Sequence, residues 1–157
     1  MQRRAGDPVY SNWYANTTVA GATFAAVVLT VLLHYEGLVL VARGLGRMHA
    51  RHQRIKVLYA IVGVLALHVI EIWIFAVSLW LLLMWPECGH IAHEPHPHFL
   101  DAVYLSAITY TTVGYGDVAP VGPIRLLAGM ESLVGLVYIT WSASFTYLEM
   151  ERFWRRN

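Results

Sequence analysis

Apolar residues gather along this chain into three long runs separated by short polar stretches. The first extends from about Thr17 to Ala42, and its segment Val19 to Leu33 carries no ionisable group. The second extends from Val57 to Trp85 with Glu71 as its only formal charge, and the third from Pro123 to Met150 with Glu131 in its first part. Each exceeds the roughly 20 helical residues that cross a bilayer. A fourth run, Phe99 to Thr111, is too short to cross and leads into glycines. Its length fits a re-entrant helix, which lipid tolerates only where protein buries it. The pattern predicts an all-α membrane protein with three transmembrane helices and one re-entrant helix. It gives a polar N-terminus at 1–16, a first span at 17–42, a basic loop at 43–56, a second unit at 57–150 and a tail at 151–157.

Composition strengthens that picture. Hydrophobic residues make up 57% of the chain and charged ones 13%, against about 25% charged in a soluble domain. A net charge of +1 leaves no broad basic face for nucleic acid. The single cysteine excludes an intrachain disulfide framework and a thiolate zinc cluster. Arg43, Arg47, Arg51, Arg54 and Lys56 lie between spans one and two, and Arg152, Arg155 and Arg156 follow span three, whereas 86–98 holds neither Lys nor Arg. By the positive-inside bias, the first loop and the C-terminus face the cytoplasm and the N-terminus faces out, in a multi-pass cell-membrane protein. Arg3 and Arg4 lie on the other side. The arginine series at 43–54 is interrupted by Gly44, Gly46, His49, His52 and Gln53, which suits a solvated segment rather than a voltage-sensing helix. The polar first 16 residues and the long first run predict a retained span rather than a cleaved signal.

The short run ends in Thr111-Thr112-Val113-Gly114-Tyr115-Gly116-Asp117, and here the chemistry becomes specific. A dehydrated potassium ion needs a cage of oxygens that stacked rings of backbone carbonyls from four chains can supply. Successive carbonyls point one way only where the backbone alternates in hand, and Gly114 and Gly116 allow this without a Cβ penalty. Val113 and Tyr115 would turn outward into surrounding protein, and the Thr112 hydroxyl would complete the innermost site.

This stretch resembles the selectivity filter of potassium channels, and the resemblance extends from about Val57 to Glu149. It implies an outer helix at 57–85, a turret at 86–98, a pore helix at 99–111, a filter at 112–117 and an inner helix at 123–150, assembled as a homotetramer. The ion sites would be bounded by Thr112, Val113, Gly114, Tyr115 and Gly116, supported by Thr111, Tyr104 and Asp117. Ile108 occupies the pore-helix position where some bacterial channels place a Glu. Gly135 lies one residue before the usual hinge of the inner helix. The first span has no counterpart in a two-helix channel and reads as a peripheral helix packed on the outer helix of its own or a neighbouring subunit.

Several side chains outside the filter are candidates for function. His68 and Glu71 share a helical face near the bilayer centre, where a bare carboxylate is expensive, and His34 and Glu36 approach from span one. These predict a buried His68–Glu71 cluster reaching His34, either as a static contact or as a pH sensor. Glu131 lies behind the filter, to bond Thr109 or Tyr110 of the pore helix or to line the cavity. Gly135, Thr140, Ser144 and Leu148 are candidates for the cavity and gate. His90, His93, His96 and His98 could bind a metal or form a solvated turret, and Cys88 could pair between subunits or stay free.

The expected function is passive, potassium-selective conduction by a homotetramer in a lipid bilayer. The transported K+ is its only ligand, with no organic cofactor, no nucleic-acid partner and no catalysed reaction. The alternatives are a weakly selective cation channel, a potassium-coupled transporter subunit, and a non-conducting membrane sensor with the same fold.

Overall fold

The computed structural model describes residues 12–48, 53–94 and 96–154. There are three long helices, α1 (Trp13–Arg47), α2 (Gln53–Leu83) and α4 (Arg125–Trp154), and a short helix α3 (Phe99–Tyr110) that packs on α2 and α4. All three long helices have the length and apolar composition to cross a membrane. Two short strands, β1 (His90–Ala92) and β2 (Ala119–Val121), pair antiparallel, with Ile91 opposite Pro120.

The helices begin or end several residues away from the apolar runs. α1 starts at Trp13, capped by the Asn12 side chain on the N–H groups of Tyr14 and Ala15, and continues through Arg43 to Arg47. Arg54 and Lys56 belong to α2. Charged residues therefore prolong these helices past their apolar parts, because hydropathy marks the edge of the hydrocarbon rather than the end of backbone hydrogen bonding. Arg3, Arg4, His49, Arg51, His52, Arg155 and Arg156 lie outside the described residues.

α1 packs on both α2 and α4 of its own chain. Its buried residues are Ala15, Val19, Thr23, Ala26, Thr30, His34, Leu38, Val41 and Leu45, a stripe of steps of three and four that a helix holds on one face. Its threonines are internally satisfied: Thr23 donates to the Val19 carbonyl at 2.7 Å and Thr30 to that of Ala26 at 2.9 Å. Phe24, Leu29, Leu32 and Leu40 point the other way and are exposed, as suits a face turned to lipid.

The main core joins α2, α3 and α4 through Phe75, Leu79, Leu82, Ala102, Leu105, Ile108, Leu127 and Tyr138. The Phe99 ring meets Trp73 and Trp80, each at 5.8 Å between centroids, and so fixes the start of α3 against α2. The segment after α2 is pinned rather than free: besides the strand pairing, the Ile124 N–H donates to the Cys88 carbonyl at 3.0 Å. Cys88 is a free, buried thiol. Its burial, and secondarily Glu87, pushes its pKa up.

Candidate ion-conduction site

The site begins where α3 stops. The Thr111 hydroxyl donates to the Ala107 carbonyl at 2.8 Å. The Gly114 N–H then reaches back to the Ile108 carbonyl at 3.1 Å, folding the following segment against the helix end. From there the backbone alternates. Thr112, Gly114 and Gly116 have φ of 60°, 49° and 82°, while Val113 and Tyr115 between them do not enter the positive-φ region. Thr112 is the unexpected member, since a non-glycine residue with positive φ is uncommon. Val113 and Tyr115 are 52% and 73% exposed on a single chain.

At the far end of this segment the Tyr104 hydroxyl donates to Asp117 at 2.7 Å. That bond is the largest influence on the exposed carboxyl and holds its pKa below the ordinary aspartate value. A depressed carboxyl stabilises the fold above the ordinary range, and the contribution is lost as pH falls through the folded value. In Tyr104→Phe, Asp117 is expected to titrate at higher pH in carboxyl carbon NMR. An unchanged titration would mean that the bond is absent in solution.

Behind the segment, α4 is fitted closely to α3. Glu131 is fully buried and accepts a hydrogen bond from Ser106, whose oxygen also lies 2.9 Å from the Ile72 carbonyl. The expected partners of Glu131 were Thr109 or Tyr110; Ser132, one residue on, donates instead to the Thr109 carbonyl at 3.1 Å. Glu131 thus points into the α3 contact. Gly135 is also buried there, and a Cβ on it would lie 2.2 Å from the Tyr110 carbonyl oxygen. Thr140, Ser144 and Leu148 occupy the opposite, exposed face of α4, where Thr140 and Ser144 bond carbonyls of their own helix.

The predicted His68–Glu71 cluster is present, and it reaches His34. Glu71 is fully buried, with His34 Nδ1 at 2.7 Å from Oε1 and His68 Nδ1 at 3.1 Å from Oε2. The structure adds Tyr110, whose hydroxyl lies 2.5 Å from Glu71 Oε2 and 2.8 Å from His68 Nδ1. Glu36 faces outward. The loop histidines are dispersed: His90 is an exposed strand residue, His93 sits in a positive-φ turn, and His98 caps α3, its N–H donating to Asp101 at 2.6 Å. Among the described residues, no three ligand-type side chains of that loop converge within one chain.

Two crossing helices with a re-entrant helix and an alternating segment between them define a membrane channel of the pore-loop class. A family model described as "Ion channel" matches residues 58–150, and the chain belongs to that family, as a potassium-channel-type member. The small conductance calcium-activated potassium channel protein of Drosophila melanogaster is 41% identical over 49 residues, which are 30% of this chain and 5% of that protein. The inward rectifier potassium channel Kirbac3.1 of Paramagnetospirillum magnetotacticum is 33% identical over 72 residues, 45% of this chain and 24% of that one. Protein LctB of Geobacillus stearothermophilus is 30% identical over 99 residues, 48% of this chain and 74% of that one. The chain thus spans only a small part of the first two relatives. No solved structure matches it.

Proposed function

We infer that this chain is one subunit of a homotetrameric, potassium-selective channel that conducts K+ passively through residues 112–116. The observation that carries the reading is the alternation of positive φ at Thr112, Gly114 and Gly116 with Val113 and Tyr115. Such alternation lets successive carbonyls line one side of the strand, and four strands about an axis replace the hydration oxygens of a potassium ion. In this reading α2 is the outer helix, α3 the pore helix and α4 the inner helix, and α1 is peripheral. Neighbouring subunits cover the side chains of Val113 and Tyr115. Thr140, Ser144 and Leu148, on the open face of α4, line the lower cavity and gate. Asp117 stands at the outer mouth, the basic α1–α2 connection and the C-terminus are cytoplasmic, and K+ is the cargo. The C-terminal dipoles of four α3 helices favour a cation at the cavity end of the filter.

Proteoliposomes holding the purified chain, with potassium and then sodium gradients, test this directly. Potassium flux well above sodium flux is expected, together with a tetramer by mass measurement in detergent. Equal fluxes would replace the reading with a weakly selective cation pore, and a silent tetramer would replace it with a non-conducting member of the family.

A further inference from the structure

α1 lies outside the region that matches the ion channel family, yet it contributes a histidine to the centre of the fold. His34 and Glu71 are fully buried, and the His68 side chain is 13% exposed. The four polar groups come from three helices: His34 from α1, His68 and Glu71 from α2, and Tyr110 from the last residue of α3. α4 closes the site. The Tyr138 ring stacks on His34 at 4.4 Å and 11°, Trp141 lies 5.1 Å away, and Ser142 Oγ is 3.5 Å from His34 Nε2. The Tyr138 hydroxyl is directed to Thr30. Glu131, the other carboxyl that α4 turns inward, is bonded to Ser106. The ion-pair partners of Glu71 among the described residues are the two imidazoles.

One arrangement of protons satisfies every donor in the cluster. The His34 Nδ1–H donates to Glu71 Oε1, the Tyr110 O–H donates to Glu71 Oε2, and the His68 Nδ1–H donates to the Tyr110 oxygen. Each donor then has an acceptor, and with both imidazoles neutral the cluster carries one net negative charge. An unbalanced charge far from water is expensive. One further proton, on an imidazole Nε2, brings the cluster to neutrality; a second would leave it positive and equally unbalanced. A single added proton is therefore the one change that balances the cluster's charge. His68 is the partly exposed member, while Ser142 Oγ and the Tyr138 face offer an acceptor and a π surface to a protonated His34.

Tyr110 is the link to conduction. It immediately precedes Thr111 and Thr112, where the conducting segment starts, and its carbonyl abuts Gly135 of α4. Its hydroxyl is held by the same Glu71 oxygen that faces His68. Adding a proton to an imidazole changes how strongly that oxygen accepts from Tyr110, and so acts on the junction between α3 and the filter. We propose that His34, His68, Glu71 and Tyr110 form a single proton-binding site through which pH, and the first helix, control the conducting segment.

The flux arm of the test rests on the potassium-channel reading; the titration arm does not. Full-length protein in liposomes is compared at about pH 5.5 and about pH 7.5, which bracket the ordinary imidazole range. Potassium flux is expected to differ between them by roughly fivefold or more, the lower end of ordinary coupling between sites. Glu71→Gln, Tyr110→Phe and His68→Asn, the first two near-isosteric, should each flatten that ratio. In imidazole nitrogen NMR, His34 and His68 should titrate as one coupled event that Glu71→Gln abolishes. A flux ratio that survives all three substitutions, or that disappears only when His90, His93, His96 and His98 are replaced, overturns the proposal. So do imidazoles that stay unchanged across the range, or stoichiometric zinc in the wild type that Glu71→Gln removes, since a metal would then hold the site. Coupled titration without potassium flux at either pH leaves the proton site standing and refutes the channel reading instead.

Discussion

Gly116→Ala should reduce potassium flux to the vesicle background while leaving the helical content of the protein unchanged. Gly116 has a φ of 82°, in the region where an L-residue costs roughly 1–2 kcal/mol. Nothing lies within 4 Å of the Cβ that alanine would introduce in a single chain, so the penalty there is conformational rather than steric. In a ring of four copies it recurs in each, roughly 4–8 kcal/mol in all, which disfavours the conducting geometry by about a thousandfold or more. Gly114→Ala should be milder, because its φ of 49° lies near the 60° that Thr112 already adopts. Circular dichroism and potassium flux on the same preparation decide the matter. Wild-type flux in Gly116→Ala would mean that the alternating backbone is not the conducting element.

Gly135→Ala is expected to destabilise the contact between α3 and α4. The added Cβ would lie 2.2 Å from the Tyr110 carbonyl oxygen and 2.9 Å from its carbon. Backbone cannot rotate away as a side chain can, so one helix must shift. Overpacking of this kind costs about 1–3 kcal/mol or more, here at the residue that joins α3 to the conducting segment. A lowered thermal midpoint in detergent and loss of flux should appear together. Gly129→Ala is the comparison: Gly129 lies on the same helix with open space around its Cβ, so alanine there leaves the single chain unstrained. Equal midpoints for the two variants would remove the role assigned to Gly135.

The alternating backbone of 112–116 was legible in the sequence because its requirement is local. Alternating backbone hand demands glycine at fixed positions, and Gly114 and Gly116 occupy them; only the positive φ of Thr112 had no residue-type signal. The His68–Glu71 pair was legible for a similar reason, since a separation of three positions on one helix fixes its own geometry. Partners separated by distance in the chain were harder to find. Tyr110, Ser106 and Tyr138 reach Glu71, Glu131 and Thr30 across 39, 25 and 108 positions, and no periodicity links such pairs. A weaker signal did exist: Ser106 and Tyr110 are four apart on a short apolar helix, where a buried polar group needs a partner. The β1–β2 pairing was invisible because it is made of backbone bonds between segments that α3 separates. Helices α1 and α2 run on into charged residues beyond the apolar stretches, where hydropathy carries no signal, since arginine supports a helix as well as leucine does.

The contact between His34 and Glu71 also has a consequence for biosynthesis. Alone in the lipid, α1 would expose an imidazole and α2 a carboxylate, each unfavourable at that depth. Together the two helices join both groups in one 2.7 Å contact. Insertion of α1 and α2 as a hairpin would therefore spare each helix its unpaired polar group. The cell's insertion machinery, rather than the finished channel, is then the first to meet the chemistry of this pair.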